Sequence, residues 1–136
     1  MSILTESELL ASAESDYMCA EQLEFFRARL LQEEQALLVA VHKTKQHLQE
    51  IEVTPDLTDR ASNEEDLTLE VRMRDRERKL LKKIREALKR IDDGSYGWCE
   101  ETDEHIGLAR LLARPTATLC LQAQERYEQV KRQFSG

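Results

Sequence analysis

The sequence predicts a mainly α-helical protein, a long antiparallel two-helix coiled coil joined to a small globular domain that ends in a helix. Three observations carry this reading. The 136 residues hold only four glycines, two prolines, three phenylalanines, three tyrosines and one tryptophan against 35% charged residues, which favours long helices with a narrow apolar seam over a large core. Apolar positions recur every seven residues through the first half of the chain. After Gly94 the pattern gives way to short segments built around Cys99 and Cys120.

The heptad positions Leu23, Leu30, Leu37, Thr44 and Ile51, with Val41 and Leu48 in the partner position, predict the first long helix. Pro55 stops it, residues 53–63 are expected to form the turn, and Ser62 with Glu65 three residues on has the form of a capping box that opens the second helix. That helix is expected to run to about Ile91, with Leu81, Ile84, Leu88 and Ile91 as its apolar face and a sparser start at Leu67 and Val71. A connection of about ten residues reverses the chain without returning it to the far end, so the pair is antiparallel. The organisation is therefore an N-terminal segment over residues 1–16, a hairpin over 17–92 with its tip at 53–63, and a globular domain over 93–136. Leu4, Leu9 and Leu10 are available to pack on the globular part. Within that part Ile106, Leu108, Leu111 and Leu112 make one apolar set, and Leu119, Ala123, Val130 and Phe134 another.

Charge is unevenly placed. Between Arg72 and Arg90 ten basic residues face three acidic ones, a local net of +7, so with an overall net of −7 the rest carries −14. Such a stripe is either a solvated helix face laced with ion pairs or a surface for phosphates or an acidic protein. No aromatic residue interleaves it, which argues against base stacking. No basic residue precedes the short apolar stretch at the N-terminus, and the longest uninterrupted apolar run is Ala36 to Val41. Neither a signal peptide nor a membrane span is predicted, a cytoplasmic location is expected, and Cys19, Cys99 and Cys120 are expected to be reduced.

Cys99-x2-Thr102-x17-Cys120-x2-Ala123 is the frame of a four-cysteine zinc finger with its second and fourth ligands missing. Neither Thr102 nor Ala123 replaces a thiolate, so no structural zinc is expected. An improvised site through His105 with Asp103 or Glu104 is the alternative to an ordinary loop histidine. At the turn, Asp56 and Asp59 are either turn formers that bond nearby backbone or two carboxylates displayed at the end of an arm. An enzyme is not expected. There is no Gly-rich phosphate loop and no His-Glu-x-x-His helix, His42 and His47 are five apart, and a Cys120–His105 nucleophile pair lacks an orienting group.

Taken together, Pro55-Asp-x-x-Asp-Arg-Ala61, Asp75-Arg-Glu-Arg-Lys-Leu80, Gly97-Trp-Cys99 and Ala113-Arg-Pro-Thr-Ala117 followed by Leu119-Cys120 resemble the DksA/TraR family of bacterial RNA polymerase-binding transcription factors. The likeness covers about residues 17–130. In its departures at Thr102 and Ala123 the chain is similar to the cysteine-poor, zinc-independent members. An intramolecular hairpin satisfies the heptad seam, so a monomer is expected, with a domain-swapped dimer of nearly the same heptads as the alternative. The resemblance implies a protein that binds RNA polymerase without sequence-specific DNA binding and inserts its coiled coil into the secondary channel. There it alters initiation, for example at ribosomal RNA promoters, together with ppGpp. By position, Asp56, Asp59, Arg60 and Ala61 match the functional tip, Arg76 a polymerase-binding position, and Leu80, Lys83 and Arg114 the alarmone site. Lys83 and Arg114 suit phosphates. A further basic position of that site falls on Gln124, which removes one charge. The competing readings are a transcript-cleavage factor that also works through the secondary channel, a nucleic-acid-binding zinc ribbon, and a coiled-coil adaptor with no role of its own in transcription.

Overall fold

A computed structural model of the chain describes residues 3–52 and 57–135, with the side chains of residues 48, 50–52, 57–63 and 135 outside the description. The elements are α1 (Glu6–Leu10), a 3-10 turn (Glu14–Asp16), α2 (Ala20–Glu52), α3 (Leu57–Asp93), α4 (Leu108–Ala113) and α5 (Leu121–Ser135). Among the described residues the only β-type pairing is one antiparallel bridge between Trp98 and His105. No helix among them is long and apolar enough to cross a membrane. The contacts divide the chain into two compact units, residues 1–30 with 86–136, and residues 31–85. The long helices α2 and α3 each run through both units. The base of the hairpin, drawn with the arm in the sequence, thus clusters with the globular part.

In the first unit Leu9, Phe25, Phe26, Leu30, Ile91, Tyr96, Ile106 and Leu111 form the core. Phe26 meets Phe25 edge-on at 5.2 Å and Tyr96 at 5.5 Å. The Tyr96 hydroxyl, fully buried, donates to the Pro115 carbonyl at 2.7 Å, so the ring is held at both ends. Thr5 caps α1 by accepting from the Glu8 N–H at 3.2 Å. Arg29 pairs with Glu6 at 2.6 Å and lies over the Phe25 ring, and Arg27 pairs with Asp92. α3 stops where Gly94 turns left-handed at φ 84° and the Ser95 and Tyr96 N–H groups close back on the Arg90 carbonyl.

The second unit is the antiparallel pair itself. Glu34 meets Arg85 at 3.3 Å, Thr44 meets Glu77 at 2.9 Å and His47 meets Glu70 at 2.9 Å, a falling register that only opposed chains produce. Leu37, Val41 and Leu81 are half-buried and Ile84 is buried, as the heptads require. The sparse start of α3 reflects charged residues at its seam positions. Its seam continues every seventh residue from Ile91 and Ile84 to Glu77 and Glu70, while Val71 is 53% exposed. Two seam positions are carboxylates.

Glu77 and Thr44 are buried, and the Thr44 hydroxyl also lies 3.0 Å from the Ala40 carbonyl. The second Glu77 oxygen, Oε2, has no hydrogen-bond partner among the described residues. Thr44→Val alone is therefore expected to destabilise by about 1–3 kcal/mol, because it strips the carboxylate of its remaining partner. Thr44→Val with Glu77→Leu is expected to recover wild-type stability or exceed it, since an apolar layer carries no desolvation cost. Urea denaturation of the single and double variants checks the order.

Two expectations are corrected. The turn does not extend over 53–63: α3 begins at Leu57, and Ser62 lies inside it rather than capping it. Nothing from Leu57 to Asn63 breaks a helix, and extending an existing helix costs less than starting one at a new cap. The apolar face of α5 is buried only at its start. Ala123 is fully buried and Leu119 half-buried, whereas Val130 is 50% and Phe134 88% exposed. Helical spacing identifies a face, but only tertiary contact covers it. At the N-terminus Leu9 is buried and Leu4 half-buried, while Leu10 is 55% exposed.

Candidate functional site

The knuckle begins where Gly97 takes φ 90°, a left-handed conformation in which a Cβ would also stand 2.6 Å from the Met18 sulfur. The two arms of the loop then pair: the Ile106 N–H donates to the Gly97 carbonyl at 2.9 Å and the Cys99 N–H to the Glu104 carbonyl at 2.8 Å. Asp103, at φ 59°, turns the chain between them. The second knuckle approaches through the Glu100 N–H, which donates to the Thr118 carbonyl at 2.9 Å, and through Arg110, whose Nε donates to the Leu119 carbonyl at 2.9 Å. The Pro115 carbonyl is held by Tyr96.

Cys99 and Cys120 are both buried and are not joined in a disulfide. The Thr102 hydroxyl stands 3.9 Å from the Cys120 sulfur and also bonds the Cys99 thiol, so the three side chains keep the frame that the spacing suggested. Burial pushes the Cys99 thiol up, but the Thr102 hydroxyl and the N–H groups of Cys120, Thr102 and Glu101 outweigh it and bring it from 9.0 down to about 7. Because the folded value is the lower one, the thiolate contributes stability that is fully present above about pH 9 and is lost as the pH falls through about 7. The Tm advantage of the wild type over Cys99→Ala is accordingly expected to widen between pH 6.5 and 9.

The donor set does not fit structural zinc. A neutral threonine hydroxyl and the methyl of Ala123, itself fully buried, stand where two thiolates are needed. Among the described residues no three His, Cys, Asp or Glu side chains are grouped to hold a metal. His105 is engaged elsewhere. Its ring stacks on Tyr17 with centroids 3.9 Å apart and planes within 10°, and Trp98 meets both rings edge-on. This aromatic cluster joins residues 88 positions apart along the chain, and no local pattern announced it.

Of the tip residues, Asp56 lies outside the described residues, while Asp59, Arg60 and Ala61 fall in the first turns of α3 with their side chains outside the description. In the second unit, Arg76 and Lys83 are exposed and Leu80 is 41% exposed. Part of the basic stripe is a laced face: Asp75 pairs with Arg78 at 2.5 Å and Lys79 at 3.3 Å, which hold its carboxyl below the usual range. In the first unit Arg114 and Gln124 line one open groove with Arg110, Leu121, Glu125 and Glu128. Gln124 donates to Glu128 at 3.1 Å, so the position where the resemblance leads one to expect a cation carries a neutral amide paired with an acid.

Comparison with known proteins decides the family. Residues 22–91 match the N-terminal domain of the DnaK suppressor protein DksA, and residues 94–129 match the prokaryotic DksA/TraR C4-type zinc finger. The chain belongs to the DksA/TraR family. The RNA polymerase-binding transcription factor DksA of Caulobacter vibrioides is 50% identical over 131 residues, covering 96% of this chain and 92% of that one. The protein of the same name from Escherichia coli K12 is 43% identical over 122 residues, 89% and 81% of the two chains. Among solved structures, the transcription factor DksA2 from Pseudomonas aeruginosa superposes with a TM-score of 0.88 at 48% identity, covering 94% of this chain and 99% of that one. As a DksA/TraR member the chain keeps both family segments in order, including a C4-type finger whose second and fourth donors it lacks.

Proposed function

We propose that the protein binds RNA polymerase, inserts its coiled coil into the secondary channel and modulates initiation, at ribosomal RNA promoters among others, together with ppGpp and without structural zinc. The observation that carries this is near full-length similarity, at up to 50% identity, to relatives named for polymerase binding. In this reading Asp59, with Asp56, Arg60 and Ala61, acts at the polymerase active centre, and exposed Arg76 contacts polymerase. Leu80, Lys83 and Arg114 form the protein's share of the alarmone site. Lys83 and Arg114 offer an ammonium and a guanidinium to phosphates, while Gln124, paired with Glu128, contributes no cation. The expected ppGpp response is therefore weaker than with a basic residue at that position. The chelator-insensitive part of the proposal rests on the donor set, in which two of four ligands are a hydroxyl and a methyl.

Single-round transcription from a ribosomal RNA promoter, with purified polymerase and chelator-treated protein, tests it with and without ppGpp. Inhibition that survives chelation and deepens with ppGpp is the expected result. Absence of inhibition by folded protein would leave the coiled coil as an adaptor, and RNA shortening in backtracked complexes would favour the cleavage-factor alternative.

A further inference from the structure

A four-cysteine finger is closed by its metal, which ties two knuckles through four bonds. Here two donors are missing, yet the loop from Gly97 to Gly107 has a defined course. Its closure is found on the side of the loop that faces the N-terminal segment. The Tyr17 hydroxyl donates to the Gly97 carbonyl at 2.6 Å and accepts from the Gly107 N–H at 3.0 Å. One oxygen thus joins the first and last residues of the loop. The Tyr17 ring lies flat on His105, and Trp98 closes edge-on against Tyr17 at 5.4 Å and His105 at 4.6 Å.

Trp98 and His105 are also the two residues of the single β-bridge, so the stack lies on the pairing that defines the hairpin. We infer that Tyr17, with His105 stacked on it, is a clamp supplied by the N-terminal segment that does here the closing a bound metal does in four-cysteine fingers. The inference rests on the zinc-independent part of the proposed function and names what stands in for the ion.

The segment that carries Tyr17 is built to present it. Met18 takes φ 58°, and its N–H is held at 2.9 Å by the amide oxygen of Gln22, a fully buried side chain. The Met18 side chain occupies the space that a Cβ on Gly97 would need. Burial pushes the Tyr17 phenol above its ordinary value of 10, against the hydrogen bonds from Gly107 and Ile106, and keeps it in the protonated form that both donates and accepts. The clamp and the Cys99–Thr102–Cys120 cluster both touch this loop, but they share no side chain. Restoring the metal and removing the clamp are therefore separable operations.

The test uses the full chain and its single tryptophan, Trp98, whose fluorescence reports unfolding at the clamp. Tyr17→Phe removes only the hydroxyl, and His105→Ala removes the stacking partner. Each is expected to lower Tm by about 4–8 °C, with chelator leaving the wild type unmoved. The same changes are then made in Thr102→Cys/Ala123→Cys, which restores four thiolates. With zinc bound, the Tyr17→Phe loss is expected to shrink to half or less, whereas the loss from Leu30→Ala, away from the clamp, is unchanged. Equal Tyr17→Phe losses with and without zinc would overturn the inference. Should the four-cysteine variant not take up zinc, amide exchange decides: Tyr17→Phe is expected to speed exchange at Gly107 about tenfold relative to Leu111, and unchanged protection at Gly107 overturns it. A wild-type Tm that falls on chelation would instead strike the zinc-independent reading, and the two failures are distinct.

Discussion

Asp59→Asn is expected to leave polymerase binding within about twofold of wild type and to remove at least about tenfold of the inhibition at a ribosomal RNA promoter. The substitution is isosteric and deletes one negative charge. Asp59 lies in the first turn of α3, where losing that charge costs the helix no more than about 1 kcal/mol, so the arm persists. In the proposed reading this residue lies beside the active-centre Mg2+, trigger loop and bridge helix. There a unit charge at about 4 Å and an effective dielectric near 20 is worth about 4 kcal/mol, ample for a tenfold effect, which needs about 1.4 kcal/mol. Equilibrium binding and single-round transcription on the same preparation separate the two quantities. A structural adaptor predicts that neither changes.

The second large effect is on stability. Phe26→Ala is expected to cost about 3–5 kcal/mol, a large share of the roughly 5–15 kcal/mol that holds a domain together. Phe26 is fully buried between Phe25 and Tyr96. Tyr96 in turn anchors the Pro115 carbonyl, so the void opens where α2 meets the segment that carries both knuckles. Phe134→Ala, at a residue 88% exposed, is expected to change stability by no more than about 0.5 kcal/mol. Urea denaturation of the two variants side by side checks the contrast, and similar losses would mean that the far end of α5 is packed in solution.

What was legible in the sequence follows the range of the interactions concerned. The seam through Leu30, Leu37 and Thr44 and through Leu81, Ile84, Leu88 and Ile91 repeats locally, and the structure buries or half-buries each of these positions. Glu70 and Glu77 escaped because a carboxylate at a seam position carries no apolar signal. They are visible only when the heptad is counted back from Ile91. The start of α3 at Leu57 escaped because Ser62 and Glu65 satisfy a capping pattern that a continuous helix simply overrides. Exposed Val130 and Phe134 continue a helical face whose cover is a tertiary matter.

The candidate site divides in the same way. The spacing of Cys99, Thr102, Cys120 and Ala123 announced a zinc frame and its broken donor set. The stack of His105 on Tyr17 is a contact between distant segments and had no sequence signal beyond the presence of the two rings. Asp56, Asp59, Arg60, Ala61, Arg76, Leu80, Lys83 and Arg114 were singled out by position in a family pattern, since composition and spacing favour ordinary turn and surface chemistry for each.

The measurement that bears most directly on the proposed function is crosslinking from the arm. A photoreactive residue in place of Thr58, next to Asp59 at the start of α3, is mixed with RNA polymerase and irradiated, and the attachment points are mapped. The expected result is attachment to the trigger loop or bridge helix, abolished by an excess of a transcript-cleavage factor that occupies the same channel. Attachment confined to the outer surface of polymerase, in a complex that still forms, would contradict it.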